Sequence, residues 1–307
     1  MRGDRARVAA RNRDLRGSDM YPDFLGIGAQ KSGTTWLYDN LARHPDIWMP
    51  PVKEMHYLDH RPPLLVTRLL SRSSHHRAAR VHLRSCLLAA WRGGSQADLA
   101  WAARYCLSPR DDRWYGSLFP KTEGHISGEI CPGYARLGPD EVGHVHKLMP
   151  EAKIIYLLRN PVERAWSALA HHFREHYAGG IETIPESEIE ARLHKPKSWR
   201  HGEYLKNLAA WEAHYPSDQI FIGFFDDLQE SPKSLLGTIL DFLKVDGGEQ
   251  GVPGGVETRR NPGRGEEVPP QLERVLARAF ADEVRGLNDR FDNAHTRRWL
   301  AYTEARL

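Results

Sequence analysis

Residues 24–59, FLGIGAQKSGTTWLYDNLARHPDIWMPPVKEMHYLD, decide the fold. They open with the apolar run Phe24-Leu25-Gly26-Ile27-Gly28, the composition of a strand buried on both faces of a parallel sheet. A loop from Ala29 to Thr35 follows. Trp36, Leu37 and Leu41 then recur at helical spacing until His44-Pro45 ends the helix. A strand, a glycine-bearing loop and a helix start make a cradle for a phosphate group. The first N–H groups of a helix have no partner within it, and the helix dipole favours negative charge at that end. Lys31 adds a point charge, Thr34 and Thr35 add hydroxyl donors, and Gln30, Ser32 and Gly33 complete the loop.

The spacing from Gly28 to Gly33 is that of a Walker A loop, but an NTPase carries lysine directly after the second glycine. Here Thr34 stands at that position, and the lysine sits inside the loop as Lys31. A second apolar run, KIIYLL at residues 153–158, reads as another buried strand and leads into LRNPVERAWS, residues 158–167. Arg159 would leave the C-terminal end of that strand, where open α/β sheets bind ligands. A guanidinium grips a phosphate with two N–H donors. Ser167 lies roughly two turns along the helix that Pro161 opens. Taken alone, this pair fits an ordinary surface arginine and helix serine. Two further segments matter: KEMHYLD at residues 53–59, and GEICPGY at residues 128–134.

Together these segments resemble the sulfotransferases that use PAPS (3′-phosphoadenosine 5′-phosphosulfate), closest in motif to the heparan sulfate sulfotransferase-like and bacterial branch. That family reads P-K-S-G-T-T-x-L in the loop, where Gln30 here replaces proline. It also carries K-E-x-H-F-F-D, E-K-S-P-x-Y and L-R-[DN]-P-x-[ED]-R-x-x-S. The resemblance implies an α/β, P-loop-like three-layer domain, with a central, mostly parallel sheet flanked by helices. It implies PAPS as co-substrate and no required metal. The acceptor would be a hydroxyl or amine of a carbohydrate or small molecule. Gln30, Lys31, Ser32, Gly33, Thr34 and Thr35 would hold the 5′-phosphosulfate, and Arg159 and Ser167 the 3′-phosphate. Arg260 and Asn261, in a basic loop after the glycine-rich residues 247–255, would fold over the nucleotide. Glu54 would take the acceptor proton, His56 would share that work or touch the sulfonyl oxygens, and Lys31 would stabilise the leaving group. One departure stands out: the lysine of E-K-S-P-x-Y is Ile130 here. Lys31 and His56 are then the nearest candidates for charge on the sulfonyl oxygens.

Composition bounds the alternatives. With 307 residues, 40% hydrophobic and 27% charged, the chain has room for one α/β domain with elaborations, or for two small domains. A net charge of +3 suits an anionic cofactor but lacks the concentration of basic residues that nucleic-acid binding requires. Three cysteines, Cys86, Cys106 and Cys131, are too few and scattered for a disulfide framework or a zinc site, so a reducing compartment is expected. No window approaches 18 consecutive apolar residues, so no membrane span is expected. Residues 1–20 are arginine-rich without a signal-peptide core and read as a disordered tail. Eukaryotic members of the resembled branch are Golgi proteins with an N-terminal anchor, so the resemblance implies a bacterial, cytoplasmic enzyme.

Residues 21–307 read as one domain with a helical insertion at about 64–107, after Pro62-Pro63. Acceptor specificity is expected in that insertion, although its arginines and histidines also fit a solvated helix face. Further helices are expected at about 139–148, 202–215 and 272–287, and after a Ser231-Pro232 cap. A strand is expected at 219–225, with Asp226-Asp227 at its end.

Three competing readings remain. His172-Phe-Arg-Glu-His176 matches a metalloprotease pattern, but so short a motif recurs by chance in a chain with 16 histidines. A P-loop kinase or NTPase would need the missing lysine and a Walker B aspartate, for which Phe225-Asp226 is the nearest fit. A non-catalytic module binding PAPS or its product is the third. The oligomeric state cannot be read from the sequence.

Overall fold

The computed structural model describes residues 21–59, 96–120, 124–176, 184–193, 195, 199–246, 255–256, 268 and 270–307. Strand β1 (Phe24–Gly28) is buried along its whole length, as its apolar run demands. It leads through the loop into helix α1 (Thr34–Leu41), and β2 is the two-residue strand Ile47–Trp48. Helices α2 (Gln96–Leu107) and α3 (Asp112–Ser117) precede β3 (Ile126–Ile130). Then come α4 (Pro139–Leu148), β4 (Lys153–Leu158), α5 (Pro161–His176) and α6 (Glu186–Leu193). The remaining elements are α7 (Tyr204–Glu212), β5 (Ile220–Phe224), α8 (Phe225–Glu230), α9 (Pro232–Leu243), α10 (Pro270–Phe291) and α11 (Ala294–Glu304).

The strand order is β2-β3-β1-β4-β5, and every pairing is parallel. Strand alternation divides the sheet between two apolar layers. On β4, Ile154, Tyr156 and Leu158 face the layer that holds Tyr115, Tyr134, Tyr204 and Trp211. Ile155 and Leu157 face the opposite layer, with Trp36 and Leu37 of α1 and Leu236, Ile239 and Leu240 of α9. A third cluster joins α5 to α6 and α10 through Trp166, Phe173, Ile189 and Phe280. This is the expected P-loop-like three-layer arrangement. β1 is central, so the loop after it opens at the middle of the sheet's C-terminal edge, the ligand-binding position in such folds.

Two local expectations need correction. Ser231 precedes α9 but makes no side-chain cap; Pro232 alone starts that helix. Asp226 and Asp227 lie inside the first turn of α8 rather than at a strand end. The N-terminal tail, residues 60–95 with most of the insertion, and Arg260 and Asn261 lie outside the described residues, as do the side chains of Glu175 and His176. Within the insertion, residues 96–107 form α2.

Candidate active site

The loop between β1 and α1 is shaped for an anion. Gly33 is the N-cap of α1 at φ 88°, a left-handed conformation that favours glycine, and a Cβ there would run into the Leu228 side chain. Gly33 gives α1 no side-chain cap and the first turn carries no acidic residue, a helix start whose amides can receive an anion. Lys31 is also left-handed, at φ 71°. Ser32 and Thr34 are buried, Lys31 and Thr35 are partly buried, and Gln30 is exposed. Trp36 Nε1 donates to the Val256 carbonyl at 2.7 Å, which ties α1 to the described end of the glycine-rich segment.

Arg159 emerges from β4 beside this loop. Its Nη1 donates to the Lys31 carbonyl at 3.3 Å, and its Nη2 donates to Glu163 at 3.1 Å. The guanidinium lies 4.5 Å above the Phe225 ring. Tyr204 fixes the strand end by donating to the Arg159 carbonyl at 3.0 Å. Asn160 Oδ1 accepts from the Val162 amide at 3.0 Å, so it satisfies one free amide of α5. Ser167 is half-buried further along α5. Arg164, on the same helix, is only 1% exposed, and its Nε and Nη1 have no partner among the described residues.

The segment from Lys53 to Asp59 lies against the loop and makes a chain of polar contacts. Lys53 Nζ donates to Thr35 Oγ1 at 2.8 Å and sits 3.4 Å from Glu54 Oε1. Glu54 Oε2 lies 3.7 Å from His56 Nε2, and His56 Nδ1 meets Asp59 at 3.0 Å. Cys131 Sγ is 3.5 Å from the same Nδ1. Burial acts to raise the Glu54 carboxyl, but the His56 hydrogen bond and the Lys53 charge hold it below its ordinary value. Burial likewise acts to discharge His56, but Asp59, Cys131 and Glu54 outweigh it and raise the imidazole pKa well above normal. The pair is therefore a carboxylate facing an imidazolium.

Both residues sit in left-handed backbone, Glu54 at φ 59° and His56 at φ 54°. Such conformations cost roughly 1–3 kcal/mol each and persist only where the surroundings enforce them. β3 and the turn after it supply the enforcement. The Glu54 amide donates to the Ile130 carbonyl at 3.3 Å, and the Tyr57 amide to Tyr134 Oη at 3.2 Å. Between them, the Met55 amide donates to Glu129 Oε1 at 2.9 Å. Glu129 is fully buried and also accepts from Tyr115 at 2.6 Å and from Tyr134 at 3.0 Å. Burial pushes its carboxyl up to about 7, against these three donors. Ile130 packs with Trp36 and Leu37, so the position of the family lysine is filled by core.

Sequence reasoning gave no role to Lys53, Asp59 or Glu129. Lys53 and Asp59 stand in the KEMHYLD motif and could have been picked out by their charge. Glu129 gave no signal beyond its motif position. The Walker B candidate is a correction: Asp226 accepts from Trp299 Nε1 at 3.2 Å and Arg298 at 3.3 Å, which ties α8 to the C-terminal helix.

A parallel sheet with a glycine-bearing loop and a helix start at its centre, and Glu54 and His56 beside that loop, has the architecture of the P-loop-like class. The chain belongs to the sulfotransferase family, whose model matches residues 22–247. It is 24% identical over 236 residues to the human bifunctional heparan sulfate N-deacetylase/N-sulfotransferase 3, covering 74% of this chain and 23% of that one. Against human heparan sulfate glucosamine 3-O-sulfotransferase 6 the identity is 29% over 140 residues, covering 42% of this chain and 39% of that one. The chain thus spans well under half the length of these relatives. Among solved structures, a sulfotransferase from Alicyclobacillus acidocaldarius superimposes with a TM-score of 0.61 at 24% identity, covering 91% of this chain and 98% of that one. The sulfotransferase domain of the Synechococcus PCC 7002 olefin synthase gives a TM-score of 0.53 at 22% identity, covering 82% and 85%. No helix of the described residues is long and apolar enough to cross a membrane.

Proposed function

We propose that the protein transfers the sulfuryl group of PAPS to a hydroxyl or amine of a small-molecule or carbohydrate acceptor, with Glu54 as general base. One observation carries this reading: Lys53 touches both the loop hydroxyl of Thr35 and the Glu54 carboxylate, so base and anion cradle are one lysine apart. The donors fit an anionic nucleotide. Gly33 gives the α1 start no side-chain cap, Arg159 stands at the strand end, and the buried Arg164 has unpartnered N–H groups.

When bound, PAPS supplies a sulfuryl group on a phosphate leaving group. The protein's share of the work is positioning and charge stabilisation. The α1 amides, Lys31, Ser32, Thr34 and Thr35 hold the anionic end, with Gln30 and Gly33 shaping the loop. Arg159, helped by Ser167, holds the 3′-phosphate, and Arg260 and Asn261 cover the nucleotide. Glu54 is kept ionised by its neighbours and accepts the acceptor proton. His56 is locked by Asp59 and presents Nε2 toward Glu54. With the family lysine replaced by Ile130, Lys31 and His56 supply the charge nearest the sulfonyl oxygens. Residues 21–307 act as one domain in a reducing, cytoplasmic setting, a reading supported by the buried Cys131, which forms no disulfide.

The test is a mass-spectrometric screen of sugars, phenols, aliphatic alcohols and amines incubated with PAPS in the presence of EDTA. The reading predicts a gain of one SO₃ unit on at least one class. Tight nucleotide binding with no transfer across the whole panel would favour the binding-module alternative instead.

A further inference from the structure

We propose that His56, Asp59 and Cys131 form a site for a thiophilic divalent cation, with Zn²⁺ as its prototype, and that filling it shuts off transfer. The three donor atoms lie within 4.8 Å of one another. His56 Nδ1 is 3.5 Å from Cys131 Sγ and 3.0 Å from Asp59 Oδ2. Around a tetrahedral zinc with ordinary bond lengths, the N···S edge is about 3.6 Å and the N···O edge about 3.4 Å. The imidazole–thiol edge already has the required length, the imidazole–carboxylate edge is a few tenths of an ångström short, and the third edge, thiol to carboxylate, lies within 4.8 Å.

The donors are preorganised by the sheet. The Cys131 amide donates to the Gly26 carbonyl at 2.9 Å, which pins the thiol to the end of β3. Asp59 Oδ2 lies over Gly133, in space that any Cβ there would fill. Cys131 and Asp59 are almost wholly buried, whereas the His56 side chain is 37% exposed, so His56 marks the way in. One thiolate, one carboxylate and one neutral imidazole make a mixed donor set that suits zinc, and three protein ligands leave a fourth position for water.

The exchange balances. Zn²⁺ enters, one proton leaves the Cys131 thiol and another leaves His56 Nδ1, so no charge is added to a largely buried place. Asp59 also lies 3.9 Å from Arg136, which keeps a neutral rather than an anionic neighbour. Inhibition follows because the cation takes Nδ1 of His56 and the Asp59 carboxylate that locks it, removing the proton that the imidazolium contributes to the Glu54–His56 pair; this consequence rests on the proposed function, whereas the binding does not. Cys131 stands where the resembled E-K-S-P-x-Y segment has serine, so the thiol is a departure from that motif.

The test uses Co²⁺ alone with the full-length protein, read by absorption spectroscopy. One equivalent should give a thiolate-to-cobalt charge-transfer band and tetrahedral d–d bands, both bleached by Zn²⁺. Cys131→Ser should abolish the charge-transfer band, and the double variant Cys86→Ser/Cys106→Ser should keep it. His56→Ala retains the thiol and should weaken cobalt binding about tenfold or more. In turnover assays, zinc inhibition should reverse with EDTA, and Cys131→Ser should raise the half-inhibiting concentration at least about tenfold. An absent band in the folded protein, a band surviving Cys131→Ser, or equal zinc inhibition of both proteins overturns the proposal. The cobalt spectrum needs neither acceptor nor turnover, so its failure is separate from failure of the catalytic reading.

Discussion

The cradle between β1 and α1 is built mainly from main-chain groups, whereas the segment from Lys53 to Asp59 works through side chains held by other side chains. In the cradle, the strand, the left-handed Gly33 and the start of α1 do the shaping, and Lys53, Arg159 and the Trp36–Val256 contact fasten it to the rest of the fold. In the other half, Glu54 and His56 keep left-handed backbone only because Glu129, Ile130 and Tyr134 grip the amides around them. The contrast teaches where each function can reside. The main-chain cradle comes with the fold, but the placement of Glu54 and His56 depends on a tertiary brace.

The largest expected effect lies on the braced side. Glu54→Gln keeps the shape but accepts no proton, so turnover should fall by about 10² to 10⁴. Steady-state kinetics on an aliphatic alcohol acceptor measures this, and a variant retaining most of its turnover would move the base elsewhere. Lys31→Ala breaks the cradle side and should cost about 10² to 10³ in rate, because the charge it opposes grows as the bond to sulfur breaks. Normal turnover of that variant at saturating PAPS would reduce Lys31 to simple binding.

The smallest effect comes from His201, which is buried among the cations behind both halves. Burial first, then Arg136, Arg164, His56 and Arg200, hold its pKa well below the ordinary 6.5. The folded state keeps this imidazole neutral while the unfolded chain takes up a proton below about pH 6.5. Stability is therefore fully present above that pH and is lost as pH falls, at up to about 1.4 kcal/mol per pH unit from this group. Urea denaturation at pH 7 and pH 5.5 should show a smaller loss for His201→Asn than for the natural chain. Equal losses would show that His201 titrates normally.

The same contrast explains what the sequence made legible. β1, α1 and β4 announce themselves because a continuous apolar run or a helical period is a local property. The cradle residues and Arg159 were legible with them, since their places follow from the ends of those elements. β2 was not: two residues of pairing leave no period to read. The Glu129 brace was hidden because a buried glutamate in a strand looks like any other until its partners are in place. Cys131 and His56 lie 75 residues apart, and only the β1–β3 pairing and the turn after it bring them together. Asp226, the nearest fit to a Walker B aspartate in a reading the sequence already disfavoured, shows the same dependence on distant partners. An acid after an apolar run suggests a metal-binding aspartate, but its partners come from α11, beyond any local pattern.

The most direct test of a donor cradle separate from the proton-handling pair is a thermal-shift comparison of adenosine 3′,5′-bisphosphate with AMP. It should be run in parallel on the natural chain, Glu54→Gln and Arg159→Ala. At about 100 times its dissociation constant, the bisphosphate should add roughly 2.7 kcal/mol of stability. The natural chain and Glu54→Gln should show the same excess of bisphosphate over AMP, and Arg159→Ala should lose it. Equal shifts with the two nucleotides in the natural chain, or loss of the bisphosphate shift in Glu54→Gln, would contradict the account.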